Sequence, residues 1–230
     1  MGDRSSANLR YLFPWVGAMQ NFRLADDFFL INHDHRNGKP LVRRDLLGAG
    51  LVAALLAELI IDGRLAMDDG RVTVLDSCRH DDHATDFMVT SIAAQQAAYP
   101  VRTWTDNLDD TAYELTARRL IECGTVRRVR PRRLLGPRRD LFPPAKRTSV
   151  ESLLRLNAVI GNPAGADIHG ATSVVLIAAS GTNHLLAPHL DREQLQTAVA
   201  QLMKRLPADL KELVAGFEAA VTARLLTIQR

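Results

Sequence analysis

Residues 44–76 read RDLLGAGLVAALLAELIIDGRLAMDDGRVTVLD, and this stretch decides the fold. From Leu46 to Ile61 the sequence is apolar on every helical face, with Glu58 its one charge and Gly48 and Gly50 as small spots. A helix apolar all round must be surrounded by protein or lipid. Sixteen residues fall short of the roughly 20 that span a bilayer. The expectation is therefore the buried central helix of a globular domain. Gly63 sits where a glycine ends a helix. Beyond it, Arg64–Met67 and Arg71–Leu75 flank Asp69-Gly70, a strong hairpin signal. The unit reads as helix, glycine stop, small β-hairpin.

A chain of 230 residues can bury one sizeable core. Its composition, 47% hydrophobic and 24% charged with few aromatics, is rich in Ala, Leu and Arg; it favours helices and suggests a bacterial, actinobacterial-type source. Cys78 and Cys123 make neither a disulfide framework nor a metal set, as expected for reduced thiols in a cytoplasmic protein. The net charge of +3 is unevenly spread. Residues 127–147 hold nine Lys/Arg against Asp140 alone, which is +8, so the rest of the chain is −5. A basic segment on an acidic body points to a polyanionic partner, membrane or nucleic acid.

Residues 1–22 read as a leader and 23–230 as one domain. Met1-Gly2 with Ser6 matches the acylation pattern only formally, and Asp3 argues against it. A short helix over 24–31 leads to a turn at Arg36–Lys39, with His33-Asp34-His35 taken as a solvated loop. His80, His83 and Asp86 could share a helical face as metal ligands, but the favoured reading is a polar loop with Asp86 capping a helix over 87–98. Val101–Trp104 reads as a short helix and Asp109–Glu122 as the next long one, with Leu115, Leu120 and Ile121 inward. Gly124 then repeats the glycine stop. The second hairpin carries Arg130, Arg132 and Arg133, then Leu134-Leu135 near a Gly136-Pro137 turn, then Arg138 and Arg139. An apolar tip in a basic collar suits an anionic bilayer; the alternative, which does not exclude it, is a solvated basic hairpin whose leucines pack on a neighbouring subunit. Ser149 is a candidate cap for a helix over 151–160. Residues 171–186 could be buried strand or buried helix by periodicity, and 191–206 and 208–227 read as amphipathic closing helices.

No nucleophile elbow, phosphate-cradling glycine loop, zinc motif or paired-carboxylate constellation appears, so no enzyme activity, cofactor or metal is expected. Glu58-Leu59, Gly63-Arg64-Leu65 and Asp68-Asp69-Gly70-Arg71-Val72, with the helical segment from Leu24, resemble the Golgi phosphoprotein 3 family over about residues 23–225. The resemblance implies a mainly α fold, a helical domain around buried central helices with two small β-hairpins, one long and basic. It favours helix over strand for 171–186. It also implies a cytoplasmic, peripheral membrane protein that recognises phosphatidylinositol 4-phosphate, uses the basic hairpin for membrane insertion and homo-oligomer formation, and recruits membrane clients. The family's headgroup aromatic falls near Arg43, and its arginines near Val52, Asp110 and Tyr113; all four positions depart from the family pattern. The headgroup candidates in this chain are Arg43, Arg44 and Tyr113. Two alternatives remain: a winged-helix-like nucleic-acid binder, disfavoured by Asp109, Asp110 and Glu114, or a family member whose pocket binds or transforms a small molecule.

Overall fold

The structure, a computed structural model, describes residues 23–79, 82–130, 140–186 and 190–227, without the side chains of residues 146, 147 and 149. Among them are eight α-helices and a three-stranded sheet, a mainly α architecture. In order they are α1 (Leu24–Ile31), α2 (Arg44–Ile61), β1 (Leu65–Asp68), β2 (Arg71–Val74), α3 (His83–Ala93), β3 (Tyr99–Pro100) and α4 (Val101–Glu122). There follow α5 (Lys146–Gly161), α6 (Ile168–Ala179), α7 (Arg192–Arg205) and α8 (Ala208–Leu226).

The apolar stretch is α2, and α1, α3, α4, α6 and α8 surround it. Leu47, Leu51, Val52, Leu55, Leu56 and Leu59 are fully buried. Each such side chain contributes roughly 1.5–3 kcal/mol, a gross gain large enough to organise the remainder. Two of its glycines are steric. A Cβ on Gly48 would meet the Asp109 backbone oxygen at 2.6 Å, and one on Gly50 would meet the Phe28 ring at 2.0 Å. They let α4 and α1 approach the α2 backbone.

Both helix-to-hairpin junctions close in one way. Gly63 (φ 70°) donates its N–H to the Ile60 carbonyl, and Arg64 donates to Leu59. Gly124 (φ 69°) and Thr125 repeat these bonds to Ile121 and Leu120. Glycine reaches this left-handed region without the Cβ penalty. β1 and β2 pair antiparallel from Leu65 opposite Val74 to Asp68 opposite Arg71, and β3 adds to β2. Asp69 (φ 48°) and Gly70 (φ 74°) are both left-handed, as a two-residue hairpin turn requires.

Several boundaries differ from the sequence expectation. The segments at 101–104 and 109–122 are one continuous helix, α4, whose buried side includes Trp104, Thr105, Ala112, Tyr113, Thr116, Ala117 and Leu120. Leu115 and Ile121 are only partly buried. α3 starts at His83, and its cap is Asp82, which accepts the Thr85 N–H; Asp86 instead pairs with the buried Arg64 at 3.0 Å. α5 begins before Ser149, with Ala145 at its N-cap and no side-chain cap. Residues 168–179 form the second buried helix, α6, in place of a strand. α7 opens on a capping box of Asp191 and Gln194.

Candidate functional site

The root of the basic hairpin is built by local pairing. Val129 and Leu141 exchange N–H···O bonds at 2.8 and 2.9 Å, and Val126 bridges Pro144. Phe142, 1% exposed, turns inward against Phe29 and Tyr113 at ring separations of 5.9 and 5.7 Å. Its N–H donates to the Gly38 carbonyl, and a Cβ on Gly38 would strike the Pro143 nitrogen at 2.0 Å. The loop before α2 therefore grips the hairpin. Arg127, Arg128 and Arg130 are exposed along the first arm. The expected docking residues Arg132, Arg133, Leu134, Leu135, Arg138 and Arg139 lie outside the described residues.

Beside this root lie the headgroup candidates. The Arg44 guanidinium stacks 3.2 Å above the Tyr113 ring and reaches Glu114 at 3.2 Å and Asp110 at 3.5 Å. Arg128 holds the other Glu114 oxygen at 2.8 Å and Asp140 at 3.4 Å, and Arg130 holds Asp140 at 3.4 Å. Arg43 is paired with Asp45. Tyr113 is 1% exposed, so its phenol does not meet solvent. Its hydroxyl bonds His33 Nε2 at 2.9 Å, and His33 Nδ1 lies 2.7 Å from the Phe29 carbonyl. A carbonyl only accepts, so Nδ1 carries the proton and Tyr113 donates to Nε2. Burial, reinforced by Arg44, pushes His33 down to about 4, while burial pushes the Tyr113 hydroxyl up to about 12 against the pull of Arg44. His33 is thus a neutral core residue and not part of a solvated loop. Val52 is fully buried, away from any headgroup. An open groove of about 670 Å³ beside the root is lined by Leu115 and Ile121 together with Asp110, Glu114, Arg118 and Arg128.

The largest polar feature was not foreseen. Arg119, with an 11% exposed side chain, is held by Asp26 (2.9 Å), Glu58 (3.2 Å) and Asp82 (3.1 Å). Arg23 adds a second cation to Asp82 at 3.0 Å. Glu58 also accepts the Ala25 N–H at 2.9 Å, supplying from α2 a first-turn cap that the N-cap residue of α1, Arg23, does not provide. Burial raises Asp26 to about 6, with Arg119 opposing. Asp82 is also partly buried, but Arg119 and the Thr85 hydrogen bonds leave its carboxyl below the ordinary value. A second buried pair joins Arg155 to Asp27. Among the described residues no group of His, Cys, Asp and Glu could hold a metal ion; His80 falls outside them.

The family model of Golgi phosphoprotein 3 (GPP34) matches residues 24–217, from the first residue of α1 into α8. The chain belongs to the Golgi phosphoprotein 3 family. No curated protein matches the chain significantly. The match takes in the gripped hairpin and the Arg119 cluster and stops before the last turns of α8. Among the described residues of this Golgi phosphoprotein 3 family member, no helix is long and apolar enough to cross a membrane.

Proposed function

We propose that this protein is a peripheral membrane protein of the cytoplasmic face that binds anionic phospholipid through its basic hairpin. The carrying observation is exposed positive charge on an arm whose root is anchored in the core. Arg127, Arg128 and Arg130 line an exposed arm whose root is anchored by Phe142, within a segment of +8 on a body of −5. Each basic residue near an anionic surface contributes about 1 kcal/mol, and each leucine inserted roughly 1.5–3 kcal/mol. Arg43 and Arg44 form the headgroup site, selective for a phosphoinositide-like group such as phosphatidylinositol 4-phosphate. Each guanidinium now faces a carboxylate, so a phosphate would take the place of Asp45, Asp110 or Glu114. Tyr113 serves as the platform under Arg44 and makes no direct contact with the ligand. Membrane-protein clients and self-association through the hairpin belong to the same reading. Nucleic-acid binding has less support, because α2 is buried from Leu47 to Leu59 and leaves no face to enter a groove there.

Co-sedimentation with neutral, phosphatidylserine-containing and phosphatidylinositol 4-phosphate-containing vesicles tests this. Wild type should pellet with anionic vesicles, and Leu134→Ser/Leu135→Ser should not. A further preference for the phosphoinositide that Arg44→Gln abolishes would support the headgroup site. No pelleting with any vesicle would refute the membrane reading.

A further inference from the structure

α5 carries aliphatic side chains on the face where a surface helix is normally polar. Thr148, Ser152, Leu156 and Ile160, spaced by four, form its buried row, and the helix packs against α1, α6 and α7. Arg155 fastens it to Asp27 of α1. A second row, Val150, Leu154 and Ala158, is displaced by two residues, which is about 200° around an α-helix and so on the opposite face. All three are exposed, Val150 at 52% and Leu154 at 58%. Residues four apart are neighbours on a helix surface, so the two large side chains make one continuous strip.

The charge that leads into this strip is positive. α5 opens on Lys146-Arg147, with no acidic residue in its first turn and no side-chain cap, although the positive end of a helix dipole favours acids there. Its N-cap, Ala145, donates to the Thr125 carbonyl at 2.8 Å, and Val126 bridges Pro144, so the helix starts at the root of the basic hairpin. The +8 segment over 127–147 therefore runs directly into the strip. After Arg147 the charged residues of α5 are Glu151 and Arg155. Arg155 is turned inward to Asp27, and Glu151 is half-buried and engaged. A basic start followed by an outward aliphatic row is the pattern of a helix lying in the surface of an anionic bilayer. A stable protein interface buries about 800 Å² on each partner, far more than two large side chains and an alanine offer.

We propose that the outer face of α5 lies on the anionic bilayer, with Val150 and Leu154 immersed at the boundary of headgroups and acyl chains. This inference rests on the reading of the protein as a binder of anionic membranes. It adds to the hairpin a contact that belongs to the folded bundle itself. Such a helix sinks roughly 5–10 Å into the interface and lies parallel to it. Because α5 is fixed to α1, α6 and α7 by its buried row, those helices stand on the side away from the lipid. The contact therefore sets which side of the bundle faces the membrane.

The test uses the full chain and vesicles of phosphatidylcholine with phosphatidylserine. Val150→Ser/Leu154→Ser should bind about tenfold more weakly than wild type, given that the two side chains are already half-covered in solution. Leu154→Trp should bind about threefold more tightly, since tryptophan favours the interface, and a merely destabilised variant would not gain affinity. Circular dichroism checks that both variants are folded. An environment-sensitive dye attached through Leu154→Cys, in a Cys78→Ser/Cys123→Ser background, should shift to the blue on vesicle addition. The same dye attached through Thr90→Cys, exposed on α3, which packs against α2, α4 and β2, should not. If Leu134→Ser/Leu135→Ser loses binding, yet Val150→Ser/Leu154→Ser binds as wild type and the Leu154 dye is silent, this inference falls and the hairpin reading stands. If wild type does not bind vesicles, both fall. If the Val150/Leu154 substitution changes the oligomeric state without vesicles, the strip belongs to a second copy and the bilayer assignment is wrong.

Discussion

Replacing Arg119 by methionine keeps the aliphatic stem and removes the guanidinium. Asp26 and Glu58, with side chains 11% and 4% exposed, then lose their shared counter-charge, and Asp82 and Glu58 keep only the half-exposed Arg23, at 3.0 and 3.8 Å. Breaking a buried ion pair by deleting one partner costs about 3–5 kcal/mol, because the remaining charge stays desolvated. With a urea dependence near 3 kcal/mol/M for a chain of this size, the midpoint should fall by about 1–2 M at pH 7. The pH dependence provides a second check. Burial holds folded Asp26 at about 6, with Arg119 pulling against it, above the ordinary value of 3.8. The folded state then binds this proton more tightly than the unfolded chain, so this carboxyl's contribution falls as pH rises between about 4 and 6. Without Arg119 the folded value climbs further and the falling window extends upward. The deficit of Arg119→Met should therefore be largest near pH 8 and shrink toward pH 5. Urea titrations at pH 5, 7 and 8 measure this. A loss below about 1 kcal/mol, or one independent of pH, would refute the claim that Arg119 neutralises a buried acidic cluster.

Two further substitutions probe packing and the aromatic core. Gly50→Ala forces a methyl into the Phe28 ring, itself 1% exposed, and should cost about 1–3 kcal/mol in thermal unfolding; an unchanged melting temperature would mean α1 is free to back away. Tyr113→Phe leaves His33 Nε2 without its donor and should cost about 1–2 kcal/mol while preserving the Arg44 stack; stability equal to wild type would mean His33 finds another partner.

The parts of the fold legible in the sequence are those set by near neighbours. α2 declares itself because nearly every residue from Leu46 to Ile61 is apolar, and Gly63 and Gly124 declare the helix ends because their backbone sign is a local demand. In the sequence α4 looks like two helices because its inner face includes Thr105, Ala112, Thr116 and Ala117, small or polar residues that give little hydropathy contrast. Asp109-Asp110 then imitates a fresh helix start. The clusters were hidden for a different reason. Arg119 meets Asp26 across 93 residues and Glu58 across 61, and His33 meets Tyr113 across 80. No period or spacing rule encodes such pairings; they exist only after α1, α2 and α4 have packed. Of the candidate site, the basic character of residues 127–147 is evident in the sequence. The pairing of Arg43 and Arg44 with carboxylates, and the inward turn of Tyr113, are not.

The aromatic root of the hairpin has an optical consequence. Phe142 stands edge-on to Tyr113, whose hydroxyl and ring face are fixed by His33 and Arg44. A chromophore locked in such a lopsided setting gives a near-ultraviolet circular dichroism signal that vanishes when packing loosens. Any load on the hairpin that lifts Phe142 must disturb that signal. The protein thus carries a built-in, label-free gauge of whether the root of its hairpin stays seated against the core.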